Sequence, residues 1–205
     1  KEISERGQLR QMDNTATAPA REPKIAGLLL AAGSSRRMGK ANKLLSDIDG
    51  KAMVVHVADQ IAKSKTDGIL VVSGHEAKDI QAALQNIATD FVHNPDFVEG
   101  LSTSLKTGLT ALPADIDGVI VCLGDMPLLK ASQIDKLIQA FDPVEGRSIC
   151  VPVHGRKRGN PVLWGKQHIA EILAITGDIG ARHLLEDHAD QVIEVPIDTD
   201  GVLFD

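Results

Sequence analysis

Residues 25–45 read IAGLLLAAGSSRRMGKANKLL, an apolar run that leads directly into a loop rich in glycine and basic residues. The apolar part, Ile25–Ala31, has the length and composition of a buried β-strand. A glycine-containing loop directly after such a strand is typical of α/β proteins, whose ligands bind beyond the carboxyl ends of the strands. This stretch therefore predicts the class of fold and the edge of the sheet where a binding site should lie.

Short apolar runs and segments of helical period alternate through the rest of the chain, which predicts helices covering a largely parallel sheet. The predicted strands are Ile25–Ala31, Gly68–Ser73, Asp90–His93, Gly118–Leu123, Ser148–Val153, Pro161–Trp164 and Gln191–Pro196. The predicted helices are Ala52–Lys63, Glu76–Asn86, Ser102–Leu112, Ala131–Phe141, Lys166–Leu173 and Gly180–His188. Ser132 is the expected N-cap of the fourth helix, and Ser102 or Thr103 is the expected N-cap of the third.

The composition excludes several classes of function. Lys and Arg total 22 against 28 Asp and Glu, a net charge of −6 that argues against a general polyanion-binding surface. Aromatic residues make up 2% of the chain, so bases have no stacking platform and nucleic acid is not an expected partner. No apolar run approaches the roughly 20 residues that span a bilayer. We therefore expect a cytoplasmic protein without a membrane partner, in which Cys122 and Cys150 are reduced and buried.

The polar residues 1–23 are rich in Ala, Thr and Pro and are predicted to be a linker or N-terminal extension. The remainder, 24–205, is predicted to form one globular domain. An upstream domain in a longer polypeptide explains the extension, and processing explains it equally well. The histidines show no metal-ligand spacing, and His56, His168, His183 and His188 are expected on helix surfaces.

The loop at 31–45 combines glycines with basic side chains. Gly33 and Gly39 allow the backbone to approach a ligand closely, and successive N–H groups in such a loop form an anion-binding concavity. Four basic residues within eight positions suit a triphosphate, and the alternative is an ordinary turn with a solvated basic face. The loop matches neither the Walker A motif nor the G-x-G-x-x-G fingerprint.

The stretch LAAGSSRRMG at 30–39, with the lysine that follows, resembles the signature of the molybdenum-cofactor nucleotidyltransferases, the MobA/MocA-like NTP transferases. The matching residues are Leu30, Ala31, Ala32, Gly33, Ser35, Arg36, Met38, Gly39 and Lys43. The resemblance implies that the Leu-Ala-Ala-Gly backbone lies against the base, while Arg36 and Lys43 hold the phosphates. The Ala-Ala-Gly spelling is closer to the cytidylyltransferase branch than to the guanylyltransferase branch.

The run GVIVCLGDMPLL at 118–129 places a carboxylate where an apolar strand ends. Pro127 prevents the backbone from continuing a ladder, so Asp125 is expected at the mouth of the sheet. A carboxylate there suits Mg²⁺, which takes one or two carboxylates together with phosphate oxygens. The alternative is an Asp that caps its own turn. The segment resembles the family's L-G-D-M-P motif, whose Asp coordinates the catalytic metal.

Three further segments resemble parts of the family. The segment His93–Leu109 implies nucleotide contacts from Asn94 and Ser104, and Gly74 is assigned to the same nucleotide site. The segment Gly155–Trp164 faces the acceptor in the family, so Arg156, Arg158 and Asn160 are the implied acceptor-binding residues, although a basic loop is often only solvated. GDIGAR at 177–182 also matches, and its Asp178 is expected to cap a helix and hold a loop.

The chain stops at VLFD, and Asp205 matches the first position of a longer acidic stretch that supplies the second metal contact in the family. The domain is therefore predicted to be truncated at its C-terminal end.

The resemblance covers nearly the whole chain from Ile25 and implies a Rossmann-like three-layer α/β sandwich of the nucleotide-diphospho-sugar transferase type, with a mostly parallel mixed sheet of about seven strands. It implies transfer of CMP, or another NMP, from an NTP to the phosphate of molybdopterin or molybdenum cofactor, with release of pyrophosphate. Arg36, Lys43 and Asp125 are the implied catalytic residues, and Mg²⁺ or Mn²⁺ on Asp125 and Asp205 is the implied cofactor. A molybdoenzyme maturation factor or an upstream domain is the further partner considered.

Two other functions fit the same residues. One is a nucleotidyltransferase that acts on a sugar phosphate or polyol phosphate, because the basic loop indicates only an anionic acceptor. The other is a catalytically silent nucleotide-binding module, which the short C-terminal end favours and the intact Asp125, Arg36 and Lys43 disfavour. A Rossmann-type oxidoreductase lacks its glycine fingerprint here.

Overall fold

A computed structural model describes residues 21–33, 42–175 and 181–203. The strands in these ranges are β1 (Ile25–Ala31), β2 (Asp47–Ile48), β3 (Lys51–Ala52), β4 (Ile69–Ser73), β5 (Asp90–His93), β6 (Gly118–Leu123), β7 (Ile149–His154), β8 (Lys157–Arg158), β9 (Val162–Gly165) and β10 (Val192–Pro196). The α-helices are α1 (Met53–Ala62), α2 (Ala77–Ala83), α3 (Leu101–Ala111), α4 (Ala131–Ala140), α5 (Ile169–Ala174) and α6 (Leu184–Asp187). Short 3₁₀ turns span Lys43–Leu45, Phe97–Glu99, Lys166–His168, Ala181–His183 and Asp200–Val202.

The central sheet has the strand order β10-β7-β9-β6-β1-β4-β5, with β8 paired to β7. Parallel pairs join β1 to β4 and β6, β4 to β5, and β7 to β10. Strand β9 runs antiparallel to both β6 and β7, and β8 runs antiparallel to β7. The prediction of a mostly parallel mixed sheet of about seven strands, flanked by helices, is confirmed.

The sheet is buried on both faces, which explains why its central strands are apolar throughout. All seven residues of β1 are buried, and their side chains alternate between the two faces. Leu29 belongs to a core with Val57 of α1 and Leu137 of α4, whereas Leu28 belongs to a second core with Leu105 of α3. Helices α5 and α6 pack in this second core, so the chain forms three layers.

Several sequence-based expectations about single residues are wrong. Helix α4 begins at Ala131, and its first turn is closed by the Gln133 side chain, which accepts from the backbone N–H of Lys130 at 2.9 Å, so Ser132 is not the cap. Helix α3 begins at Leu101 with Gly100 as its N-cap, and Ser102 and Thr103 therefore lie inside the helix.

His168 is also placed differently from the expectation. It was expected on a helix surface, but it is buried, with an exposure of 2%. The reason is the 3₁₀ turn Lys166–His168, after which the imidazole lies edge-on to Trp164 at a ring-centroid distance of 6.2 Å. Within the described ranges, none of the helices is long and apolar enough to cross a membrane.

Candidate active site

The carboxyl ends of four neighbouring strands meet at one edge of the sheet. Leu30 of β1 pairs with Leu123 of β6, and Ala31 pairs with Ser73 of β4. Ser73 in turn pairs with His93 of β5. The segments that begin at Ala32, Gly74, Asn94 and Gly124 therefore leave the sheet side by side, at the edge where open α/β sheets bind ligands.

The backbone is tightly packed where β1 and β4 end. The N–H of His75 donates to the carbonyl of Ala32 at 3.1 Å. A Cβ at Gly74 would lie 2.9 Å from both the Cβ and the carbonyl oxygen of Ala32, and 2.7 Å from the Cβ of Phe97. A glycine is needed at position 74 because these neighbours are backbone or Cβ atoms that cannot turn away.

The residues expected to lie against the base are mostly core residues. Leu30, Ala31 and Ala32 are buried, with exposures of 6%, 0% and 2%, whereas Gly33 is exposed. Their side chains fill the space between sheet and helices, which leaves the backbone at Ala32 and Gly33 as the part that can meet a ligand. Their role in nucleotide binding stays a prediction.

Lys43 and Asp125 face each other across the site. The Nζ of Lys43 donates to Oδ2 of Asp125 at 3.2 Å, and each side chain is 30% exposed. Asp125 lies in the turn after β6, whose first residue, Gly124, donates its N–H to the carbonyl of Leu30 at 3.0 Å. One cation and one carboxylate, predicted from separate motifs 82 residues apart, are thus brought into contact in a partly open position.

Asn42 positions Lys43 and is absent from the sequence-based set of site residues. Its Oδ1 accepts from the N–H of Leu44 at 3.1 Å and so caps the 3₁₀ turn that begins with Lys43. Leu44 packs against Gly124, where an added Cβ would lie 3.2 Å from a Leu44 methyl carbon. An Asn directly before a turn is a recognised capping pattern, and this signal was available in the sequence.

The donor set at Asp125 fits a divalent cation. Its carboxylate is partly exposed at a strand end, with the Lys43 ammonium on Oδ2. A hard cation such as Mg²⁺ takes one or two carboxylates plus phosphate oxygens and water, and this arrangement provides the carboxylate beside a cation suited to a triphosphate. The expected second ligand, Asp205, lies outside the described residues, as do Ser35, Arg36, Met38, Gly39 and Asp178.

Asn94 and Ser104 lie together but bind each other. The Asn94 amide donates to the hydroxyls of Thr103 at 2.9 Å and Ser104 at 3.0 Å, and its Oδ1 accepts from the N–H of Asp96 at 3.0 Å. Both predicted residues are buried, Asn94 to 1% and Ser104 to 5% exposure. These bonds brace the start of α3 against the end of β5, and direct contact with a nucleotide stays a prediction.

The predicted acceptor residues follow β7 at the same edge of the sheet. Arg156 and Arg158 are exposed on the β7–β8 hairpin, and Nε of Arg158 donates to Glu194 of β10 at 2.8 Å. This ion pair directs Arg158 toward the outer strand, so Arg156 is the better placed of the two to meet an anion. The acceptor-binding role of Arg156 and Arg158 stays a prediction.

The end of the described chain connects the acceptor segment to the Asp125 segment. The N–H of Asn160 donates to the carbonyl of Val202 at 2.9 Å. On the other side, a Cβ at Gly201 would lie 3.0 Å from the Cβ of Leu128, three residues after Asp125. The turn Asp200–Val202 therefore contacts both segments.

The family profile "MobA-like NTP transferase domain" matches residues 27–192. The bifunctional protein GlmU of Shouchella clausii is 28% identical over 168 residues, which are 82% of this chain and 34% of that protein. The chain thus spans about a third of the length of this curated relative.

Solved structures share the fold. The Rv0371c homolog from Mycobacterium sp. strain JC1 has a TM-score of 0.76 and 25% identity, and the match covers 85% of this chain and 86% of that one. Rv0371C of Mycobacterium tuberculosis, solved in complex with manganese, has a TM-score of 0.73 and 23% identity over 86% of this chain and 89% of that one. The 4-diphosphocytidyl-2C-methyl-D-erythritol synthase of Anaerococcus prevotii has a TM-score of 0.71 and 16% identity over 90% of this chain and 91% of that one.

Proposed function

The chain belongs to the MobA-like NTP transferase domain family, and from this premise we propose that it transfers a nucleotide from an NTP to the phosphate of a molybdopterin-type acceptor. The observation that carries the proposal is the contact between Lys43 and Asp125 at the carboxyl edge of the sheet. This contact brings a cation suited to phosphates and a carboxylate suited to a divalent metal together in one partly open position.

In the proposed reaction, an oxygen of the acceptor phosphate attacks the α-phosphorus of the NTP. The new P–O bond forms as the bond between the α-phosphorus and the bridging oxygen breaks, and pyrophosphate leaves with that oxygen. The acceptor phosphate is already ionised near neutral pH, so the step requires no general base. Catalysis then rests on positioning the two reactants and stabilising the charge that develops on the leaving group.

The chain's own residues would share these tasks. Lys43 would bind the β- and γ-phosphates and stabilise the departing pyrophosphate, and Arg36 is the second residue proposed for this task. Asn42 would hold Lys43 by capping its turn. Gly74 and Ala32 would keep the backbone close enough for the base to lie against residues 32–33. Asn94 and Ser104 would complete the nucleotide site, chiefly by fixing the start of α3.

Asp125 would hold the divalent cation, which supplies charge neutralisation for the phosphates when bound. The related Rv0371C was solved with manganese, which supports Mg²⁺ or Mn²⁺ as the cofactor class. Asp205 would be the second ligand. Support comes from the turn Asp200–Val202, which ends three residues before Asp205 in the sequence and contacts the segment after Asp125.

CTP is the proposed donor because Ala-Ala-Gly at 31–33 and Leu-Gly-Asp at 123–125 resemble the cytidylyltransferase branch more than the guanylyltransferase branch. The proposed acceptor is the phosphate of molybdopterin, with Arg156, Arg158 and Asn160 on the side where it would bind. A polyol-phosphate or sugar-phosphate acceptor is the second candidate. It is favoured by the similarity in fold to the 4-diphosphocytidyl-2C-methyl-D-erythritol synthase of Anaerococcus prevotii.

The test is pyrophosphate release from CTP, GTP and ATP, each with Mg²⁺ or Mn²⁺. Each NTP is combined with molybdopterin, its molybdenum-loaded form, a sugar 1-phosphate, a polyol phosphate or no acceptor. Release that needs both CTP and a molybdopterin form is the expected result. Release with the sugar or polyol phosphate would instead establish the second candidate. Nucleotide binding without release under any combination would contradict both and favour a silent nucleotide-binding module.

A further inference from the structure

Three metal-ligand side chains meet at the edge of the sheet opposite the candidate active site. His168 follows β9, whose last residue, Gly165, pairs with Gly118 at the amino end of β6. One donor atom each from His168, Glu171 and His188 lies within 4.8 Å of the other two. Nε2 of His188 is 2.6 Å from Oε2 of Glu171, and the two imidazole centroids are 4.6 Å apart.

The hydrogen bonds around His168 determine which ring nitrogen carries the lone pair. The Ser148 hydroxyl donates its single proton to Oε1 of Gln191 at 2.9 Å, because a side-chain amide oxygen only accepts. Nε2 of His168, 2.8 Å from the Ser148 oxygen, must therefore donate to it. In the neutral imidazole this leaves Nδ1 as an acceptor.

Nδ1 of His168 has no hydrogen-bond partner among the described residues, although the residue is only 2% exposed. An unpaired buried acceptor is costly, so the arrangement calls for an explanation. The hydrogen bond between His188 and Glu171 accounts for those two side chains but not for the lone pair on Nδ1 of His168. A cation bound by all three side chains would give each of them, and the Nδ1 lone pair, a partner.

The geometry points to a site for Zn²⁺ or a similar borderline-soft divalent cation, bound by His168, Glu171 and His188. Two imidazole nitrogens and one carboxylate oxygen form a ligand set that Zn²⁺ takes, with water in the fourth position. The donation from His168 to Ser148 is the second hydrogen bond that typically fixes the ring of a metal-ligating His. Glu171, 49% exposed, and His188, 20% exposed, leave the fourth position open to solvent.

The proposed cation would join two helices across a long stretch of sequence. His168 and Glu171 lie at the start of α5, whereas His188 directly follows α6. Ser148 and Gln191 extend the network to the residues that precede β7 and β10. The proposed site would therefore have a structural role, separate from that of the cation proposed at Asp125.

The first experiment titrates Zn²⁺ into chelator-treated Asp125→Asn protein and follows the heat of binding. The Asp125→Asn background is chosen to remove metal binding at the candidate active site. We expect one equivalent of saturable binding, abolished by Glu171→Gln and by His188→Ala. Glu186→Gln and His183→Ala, which change exposed side chains of the neighbouring α6 segment, serve as matched controls and should bind as the parent does.

A second measurement uses Trp164, the single tryptophan of the chain, whose ring centroid is 6.2 Å from that of His168. Bound Co²⁺ should quench Trp164 fluorescence and give the visible absorption of a low-coordinate site. Ser148→Ala, which keeps all three ligands but removes the acceptor for Nε2, should weaken binding by about 10- to 100-fold. Absent binding, or binding and quenching unchanged in Glu171→Gln and His188→Ala, would overturn the proposal.

Discussion

Replacing Lys43 by alanine should separate activity from stability. The ion pair with Asp125 is 3.2 Å long, which at an effective dielectric constant of about 20 corresponds to a gross attraction of about 5 kcal/mol. Both side chains are 30% exposed, so water and lost side-chain entropy offset most of this attraction, and the net stabilisation should not exceed about 1 kcal/mol. Loss of a positioned charge at the leaving group should reduce kcat/KM by about 10²- to 10³-fold, or about 2.7–4 kcal/mol.

Urea unfolding gives the stability of the Lys43→Ala protein, and pyrophosphate release gives kcat/KM. Lys63→Ala is the matched control, because Lys63 forms an ion pair of 2.6 Å with Asp59 on the far end of α1. This control should leave kcat/KM unchanged. A Lys43→Ala protein that keeps wild-type kcat/KM would show that Lys43 does not stabilise the leaving group, and a loss of several kcal/mol of stability would show that its main role is structural.

Three further predictions concern the core and the site. Burial raises the pKa of both cysteine thiols, that of Cys150 to about 12, so Cys122 and Cys150 should react with a thiol reagent only on unfolding. The free energy of unfolding should fall as pH rises from 9 toward 12, because the unfolded chain ionises these thiols before the native protein does. Fast labelling of the native protein would contradict this prediction. Gly74→Ala should lower the free energy of unfolding in urea by about 1–3 kcal/mol and weaken NTP binding, because the added Cβ displaces Ala32. A variant with unchanged stability and binding would show that the close packing is dispensable. Asn94→Ala should lower the free energy of unfolding by about 1–3 kcal/mol, because it leaves buried hydrogen-bonding groups unpaired, and denaturant unfolding measures this loss.

The fold was largely predictable because its strands are short apolar runs between turn residues. The predicted Ile25–Ala31, Asp90–His93 and Gly118–Leu123 match the observed strands residue for residue. The two-residue strands β2, β3 and β8 were missed, since a run of two residues has no measurable period. Helix α2 is shorter than predicted, because the apolar pattern extends beyond the residues that hold helical hydrogen bonds.

The candidate site was predictable in part, where a motif and its place at a strand end agreed. Lys43 and Asp125 were each assigned from a local pattern, and the edge rule for parallel sheets brings them together. The contacts of the turn Asp200–Val202 were not predictable, because they join residues far apart in sequence through backbone geometry.

The cluster around His168 was missed for a related reason. The sequence places His168 beside Lys166 and Gln167, a polar setting that favours exposure. Only the three-dimensional fold brings His188, 17 residues beyond Glu171, back to the start of α5. A ligand set divided between two helices leaves no regular spacing that a sequence motif would detect.

Metal-dependent nucleotidyl transfer at the contact between Lys43 and Asp125 can be measured as pyrophosphate release from the wild-type and Asp125→Asn proteins with CTP, Mg²⁺ and molybdopterin. Asp59→Asn serves as the control, because it changes a carboxylate that is also paired with a lysine but lies on α1. We predict that Asp125→Asn abolishes release while the protein stays folded and Asp59→Asn releases pyrophosphate as the wild type does. Release by Asp125→Asn at the wild-type rate would contradict the account.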